Sequence, residues 1–205
     1  MARALILLSA SVAFTQVSAA QQPYLPPQPG TMITWKFEIG DESYVRLSEV
    51  VASGDDFVIY DPDIQQSTGL PIDYIVEFSG LHTQSCDQPL PLEDDRSALA
   101  AVWPLRPGAS ASVHSGVSSF YKVGEATIVD VISDIAGASQ TWVVRNEFGN
   151  ADMQIAVSPA LGMQVRLGWP SGDSGQVLEV VEPQGSVSPP EDISANLGYC
   201  AELVQ

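Results

Sequence analysis

The 205-residue chain has little positive charge and few side chains that ionise near neutral pH. It contains eight Lys and Arg against 25 Asp and Glu, and only two histidines. A chain this acidic repels phosphate backbones, which argues against nucleic acids and anionic membrane surfaces as partners. Because the acidic residues are spread along the chain, we interpret their charge as a source of solubility.

The sequence also lacks the motifs that hold common cofactors. It has no glycine-rich phosphate loop and no dinucleotide-binding fingerprint. The two histidines do not share metal-ligand spacing, and Cys86 and Cys200 stand alone rather than in closely spaced pairs. We therefore predict no cofactor and no metal site, and no motif identifies a catalytic residue.

No apolar run is long enough to cross a membrane as a helix. The longest candidate, Ala4–Phe14, has 11 residues, against the roughly 20 that a spanning helix needs. It follows a basic start and precedes small residues at Val17–Ala20, which is the order of a secretory signal peptide. We predict that residues 1–20 are cleaved and that the protein is exported to the periplasm or the medium, with no membrane span after cleavage. The alternative is a buried N-terminal helix.

The remaining chain is dominated by strand-like alternation. Ile33 and Trp35 begin a run in which apolar and polar residues alternate, and turn-forming residues recur about every ten positions further on. This pattern predicts an all-β, antiparallel sandwich or open barrel over residues 31–182. A proline-rich leader at 21–30 precedes the β domain, and a Pro-, Ser- and Gly-rich tail at 183–205 follows it.

Three details of this β domain can be tested. We predict one short helix near 94–102, with Asp94 or Asp95 as its N-cap. Residues 80–96 show no strand pattern before that helix, and Ala111–Val123 has the pattern of one continuous strand. The predicted core residues are Ile33, Trp35, Phe37, Ile72, Tyr74, Val76, Phe78, Trp142, Val144 and Val165.

Cys86 and Cys200 are the only cysteines in the chain. An even number of cysteines in an exported protein favours a disulfide, because the compartment is oxidising. We predict that the two are bridged, which would hold an irregular middle segment against the C-terminal tail. Two buried free thiols are the alternative.

The segment Gly172-Asp173-Ser174-Gly175 resembles the nucleophile segment of the chymotrypsin-like serine proteases. The resemblance covers four residues and implies that Ser174 would attack a carbonyl while a histidine takes its proton. The family continues with Gly-Pro, whereas Gln176-Val177 follows here, and neither His82 nor His114 stands in the family's Ala-His-Cys setting. A hairpin turn explains the same four residues, because Gly and Asp tolerate positive φ.

His114 lies among several serines, which leaves a second hydrolase hypothesis open. These serines are Ser112, Ser115, Ser118 and Ser119. A histidine near neutrality can act as a general base, but a catalytic triad is assembled in space and not by nearness in sequence. A surface or strand histidine is the simpler interpretation.

The segment from Asp55 to Asp63 contains four aspartates, Asp55, Asp56, Asp61 and Asp63. Carboxylate oxygens suit Ca²⁺, but the run departs from the EF-hand loop, since Gln66 replaces its glycine and Ile72 its final glutamate. A solvated loop explains the segment better, and calcium remains the alternative.

Two turn motifs resemble those of small exported bacterial β-rich proteins of unassigned function. They are the Trp103-Pro104-Leu105-Arg106-Pro107-Gly108 segment and the Ser158-Pro159-Ala160-Leu161-Gly162 segment before an apolar strand. The likeness extends loosely over residues 31–181. It implies a bacterial envelope protein and supplies no catalytic residues.

Two function classes follow from these observations. The first is a non-catalytic exported module that binds a small apolar ligand or an envelope protein partner, because β-sandwiches and barrels readily enclose such pockets. The second is a serine hydrolase that uses Ser174 or a serine near His114.

Overall fold

The fold is a single antiparallel sheet that curls on itself. A computed structural model of the protein describes residues 23–62, 74–115, 118–149, 151–185 and 197–205. Its strands are β1 (Met32–Ile39), β2 (Glu42–Ser53), β3 (Phe57–Asp61), β4 (Ile75–Phe78), β5 (His82–Ser85), β6 (Ser110–Val113), β7 (Ser119–Ile128), β8 (Gln140–Phe148), β9 (Ala151–Ser158), β10 (Met163–Gly168) and β11 (Ser174–Val181). They are ordered β5-β4-β3-β2-β1-β11-β10-β9-β8-β7-β6. The all-β, antiparallel prediction is confirmed, and of its two forms the structure has the open barrel.

The curl brings the β4–β5 edge of the sheet onto β7 and β10. The side-chain amide of Gln164, on β10, donates to the main-chain oxygen of Leu81 at 2.9 Å and to Thr83 Oγ1 at 3.1 Å. His82 Nδ1 lies 2.7 Å from the hydroxyl oxygen of Tyr121, on β7. Strands far apart in the sheet order therefore face one another across an interior space.

Two apolar clusters lie on opposite sides of the same strands. On β3, Ile59 belongs to one cluster and Val58 to the other, and on β9 the same is true of Ile155 and Ala156. Successive side chains of a strand point to opposite faces, so these strands are buried on both sides. The predicted core residues Ile33, Trp35, Val76, Phe78, Trp142, Val144 and Val165 are buried, while Phe37 and Tyr74 are half-buried against the clusters. Ile72 lies outside the described residues.

The predicted helix is present, but its N-cap prediction is wrong. The helix α1 spans Glu93–Ala100, and its N-cap is Leu92, which makes no side-chain capping bond. The Asp95 carboxylate instead accepts hydrogen bonds from the main-chain N–H groups of His114 and Ser115, at 2.8–3.1 Å. Asp95 thus ties α1 to the end of β6, a contact that no local sequence rule contains.

Two strand predictions are corrected. Residues 82–85 were expected to be irregular but form the edge strand β5, because a turn through Ser79 and Gly80 (φ 50° and 66°) folds them back on β4. The predicted strand Ala111–Val123 is two strands, β6 and β7, which pair with each other. Because apolar and polar residues alternate through both strands, the pattern gives no sign that the chain reverses direction between them.

Part of the leader packs on the β domain. The predicted signal peptide, residues 1–20, lies outside the described residues, and residues 23–28 have neither helix nor strand. The Tyr24 and Trp103 ring centroids are 5.3 Å apart. Gly162 has φ +62°, and a Cβ built there would stand 1.8 Å from the main-chain oxygen of Leu25. Only glycine lets the leader approach this closely.

Replacing Gly162 by alanine is expected to lower the free energy of unfolding by about 2–4 kcal/mol, from ~1 kcal/mol for the left-handed backbone and ~1–3 kcal/mol for the clash. Gly40→Ala is the matched control, because Gly40 has φ +58° with nothing within 4 Å of the added Cβ. Urea denaturation of both variants measures the difference. Equal losses would show that the contact with Leu25 contributes nothing to stability.

Candidate ligand-binding cavity

The curled sheet forms a partly open cavity of about 780 Å³. Ligand pockets for small molecules commonly have roughly 300–1,000 Å³. Nine of the strands, β1–β5 and β7–β10, contribute to its lining. The apolar part of the wall includes Trp35, Phe37, Phe148, Met153, Leu167 and Trp169.

The aromatic wall is a consequence of the alternation of β1. Trp35 and Phe37 lie two positions apart on the same face, with ring centroids 5.6 Å apart, and Phe37 in turn stacks on Tyr44 at 5.5 Å. The guanidinium of Arg46, on β2, lies 5.1 Å from the Tyr44 ring centroid and 5.7 Å from that of Phe37. Stacked rings present a flat apolar surface to the cavity, which suits an apolar chain or ring.

A neutral hydrogen-bonded cluster also lines the cavity. His82 joins the Tyr121 hydroxyl through Nδ1 at 2.7 Å and Gln84 Oε1 through Nε2 at 3.3 Å. Ser119 and Asn146 also hydrogen-bond to the Tyr121 hydroxyl. All five of these residues line the cavity. Because the partners lie on β5, β7 and β8, this cluster exists only in the curled sheet.

Burial keeps this cluster uncharged. Desolvation lowers the pKa of His82, against a smaller opposing effect of its bond to Gln84. Burial also raises the pKa of Tyr121 to about 12. At neutral pH the imidazole is therefore neutral and the phenol protonated, so the cluster offers hydrogen bonds without net charge.

Charge is distributed unevenly between the cavity and the rest of the protein. The chain has 25 Asp and Glu, yet none of the described residues that line the cavity is acidic. The one charged side chain among the described lining residues is the cation Arg46, and the rest of the lining is suited to apolar and neutral polar groups.

A buried acid lies just behind the cavity wall. Glu77, on β4, is 1% exposed, and its Oε1 accepts a hydrogen bond from the main-chain N–H of Gln164 at 3.3 Å. Burial raises the pKa of Glu77 to about 8. Burial also raises the pKa values of Tyr24 and Tyr60, and the nearby Glu77 raises them further. Sequence reasoning missed Glu77, although an acid within the apolar Ile75–Phe78 strand was an available signal.

Ser174 and His82 line different cavities. The Oγ of Ser174 lies 3.5 Å from Glu38 Oε2, and this serine lines a second, smaller cavity that His82 does not line. The residues before it form a turn, in which the N–H of Gly172 donates to the Trp169 oxygen at 3.0 Å and Gly172 has φ +95°. The structure thus gives the Gly-Asp-Ser-Gly segment the geometry of a hairpin turn.

Two of the serines near His114, Ser115 and Ser119, have structural partners. The Ser115 hydroxyl and main-chain N–H both donate to the Asp95 carboxylate. Burial alone would raise the pKa of Asp95, but these hydrogen bonds and that from the His114 N–H outweigh it and lower the pKa. Ser119 bonds to Tyr121, and His114 itself is exposed. The arrangement is that of a helix tied to a strand end.

The predicted aspartate loop is divided by a strand. Asp55 and Asp56 lie in the turn before β3, and Asp61 is the last residue of β3. At ~3.3 Å per residue the strand separates the two ends by more than 10 Å. Asp56 instead lies 3.9 Å from Arg96, and Asp63 lies outside the described residues.

The two cysteines meet as the sequence led us to expect. Their sulfur atoms are 2.04 Å apart and their Cα atoms 5.3 Å apart, across 114 positions of the chain. Both residues are buried in the cluster that includes Leu197. The N–H of Tyr199, in the C-terminal 3₁₀ helix Gly198–Leu203, donates to the Cys86 oxygen at 2.8 Å.

The fold and the cavity describe an open, curled β-barrel with a ligand-sized interior. No protein-family model and no curated protein matches the chain. One similar solved structure is the crystal structure of the hypothetical lipoprotein YmcC from Escherichia coli (K12), with 10% identity and a TM-score of 0.40, over 86% of this chain and 100% of that chain. A similarity at this level supports no inference about function. Within the part of the chain that the structure describes, no helix has the length and apolar character needed to span a membrane.

Proposed function

We propose that this protein is an exported, non-catalytic module that binds a small, elongated apolar ligand inside its curled sheet. The observation that carries the proposal is the 780 Å³ cavity, whose lining includes both an aromatic wall and a neutral polar cluster. Export is supported by the first twenty residues, in which a basic start, an apolar run and small residues follow one another in the order of a signal peptide.

The geometry favours binding over hydrolysis. His82, the histidine that lines the cavity, already has its two ring nitrogens next to Tyr121 and Gln84. The serine of the protease-like motif, Ser174, faces Glu38 from another cavity. A general base must lie within hydrogen-bond reach of the nucleophile that it activates, and these side chains have other partners.

We expect the purified protein to bind the neutral fluorophore N-phenyl-1-naphthylamine, and Met153→Trp to weaken that binding about tenfold or more. Met153 is half-buried on β9 and faces the cavity, so the larger indole fills space that the fluorophore needs, and loss of ~1.4 kcal/mol is tenfold in affinity. Fluorescence titration measures the affinity.

Ile128→Trp is the control for this experiment, because Ile128 is 73% exposed and lies outside the cavity lining. It introduces the same side chain without filling the cavity and should leave the affinity unchanged. Saturable binding that neither variant alters would place the fluorophore elsewhere and contradict the proposal.

A further inference from the structure

One buried acceptor in the cavity has no partner among the described residues. Asn146 is 6% exposed and lines the cavity, and its Oδ1 makes no hydrogen bond. A buried polar atom without a partner is destabilising, which is why such atoms are nearly always satisfied in folded proteins. The acceptor therefore points to a group that the protein itself does not supply.

The neighbouring hydrogen bonds determine which atom of Asn146 remains available. Gln84 Oε1 can only accept, so His82 Nε2 carries the proton and Nδ1 is the acceptor. The Tyr121 hydroxyl then donates to His82 Nδ1. The Tyr121 hydroxyl oxygen in turn accepts a hydrogen bond from the Asn146 side chain. Because this bond uses the amide N–H of Asn146, its Oδ1 is the atom that remains without a partner among the described residues.

We propose, on the basis of the ligand-binding function above, that the ligand is an apolar chain with a neutral hydrogen-bond donor, such as a hydroxyl, at the end that meets Asn146. The donor satisfies Asn146 Oδ1 while the chain lies against the aromatic wall at Trp35 and Phe37. A carboxylate is disfavoured at this end, because it would face an unpaired acceptor and a neutral imidazole.

Three ligands of matched chain length test this inference by displacement of N-phenyl-1-naphthylamine from the wild-type protein. They are 1-decanol, which has a donor, decyl methyl ether, which has only an acceptor, and decanoate, which is an anion. We expect 1-decanol to displace the fluorophore at about tenfold lower concentration than decyl methyl ether, because only the alcohol satisfies the buried acceptor. We also expect it to displace the fluorophore more strongly than decanoate, whose carboxylate tests whether Arg46, which also lines the cavity, selects an anion instead.

A pair of variants assigns the preference to one residue. Asn146→Leu has a similar shape but no acceptor, so we expect it to bind 1-decanol no better than the ether while still binding the fluorophore. Glu147→Gln, at an exposed neighbour on β8, should keep the wild-type preference. The wild-type comparison stands even where the Asn146 variant fails to fold.

The two proposals fail in different ways. Displacement by the ether or by decanoate that equals or exceeds displacement by 1-decanol would overturn the donor inference and leave the apolar cavity as a binding site. Absence of fluorophore binding to the wild-type protein would overturn the binding function and the donor inference together.

Discussion

Replacing Cys86 and Cys200 together by alanine is expected to lower the free energy of unfolding by up to about 4–5 kcal/mol. Cross-linking residues 114 positions apart removes much of the entropy of the unfolded chain, and the chain-entropy relation gives this magnitude as an upper figure. The loss is a large share of the roughly 5–15 kcal/mol that stabilises a typical domain. Urea denaturation monitored by tryptophan fluorescence measures it.

The location of the bridge adds a local effect. Leu197 and Cys200 are fully buried, so release of the bridge also loosens the apolar contacts of the C-terminal segment. Wild-type protein unfolded under reducing conditions is the control, and its stability should approach that of the double variant. Two thiols titrating in the denatured, unreduced protein would show that no bridge forms.

Glu77→Gln is expected to stabilise the protein by about 3–5 kcal/mol at pH 9 and to remove most of the loss of stability between pH 5 and pH 8. The pKa of Glu77 is about 8 in the folded protein against an ordinary 4.5, and each unit corresponds to ~1.4 kcal/mol. The amide keeps the acceptor for the Gln164 N–H but has no charge to bury.

The sign of this effect follows from proton binding. Below pH 4.5 both the folded and the unfolded chain carry the proton on Glu77. As the pH rises to about 8, the unfolded chain loses it while the folded chain keeps it, so stability falls across that window and then levels off. The lowered pKa of His82 acts in the opposite direction, with stability lost as the pH falls below its ordinary 6.5.

The difference in stability between Glu77→Gln and the wild type isolates the glutamate, because His82 is common to both. Glu147→Gln makes the same chemical change at an exposed position, and we expect its effect to stay within about 0.5 kcal/mol at each pH. Chemical denaturation at several pH values provides the data. A Glu77→Gln variant that follows the wild-type pH profile would show that Glu77 is ionised in the folded protein at neutral pH.

The prediction for Glu77 concerns a part of the molecule that holds the cavity wall. The Gln164 side chain that lines the cavity bonds to Leu81 and Thr83, and its main-chain N–H bonds to Glu77. The charge state of Glu77 therefore bears on how firmly the β4–β5 hairpin is held against β10.

The sequence by itself determined the class of the fold and most of its strands. Alternation at Ile33, Trp35 and Phe37 placed Ile33 and Trp35 in the core, because a strand has a period of two and one face must leave water. The sequence also predicted the helix α1, although not its N-cap residue. The polar strand at residues 82–85 was missed, because its pairing comes from the turn before it and not from its own side chains.

Only the tertiary structure decided where the candidate site lies. His82 and Tyr121 are 39 positions apart, and Glu77 and Gln164 are 87 apart. Alternation indicates which residues point inward, but it carries no information on which inward faces meet, because that depends on how far the sheet curls. The neutral cluster, the buried acid and the unpaired acceptor of Asn146 all lie where curled strands face each other, and so they could not be read from a linear pattern.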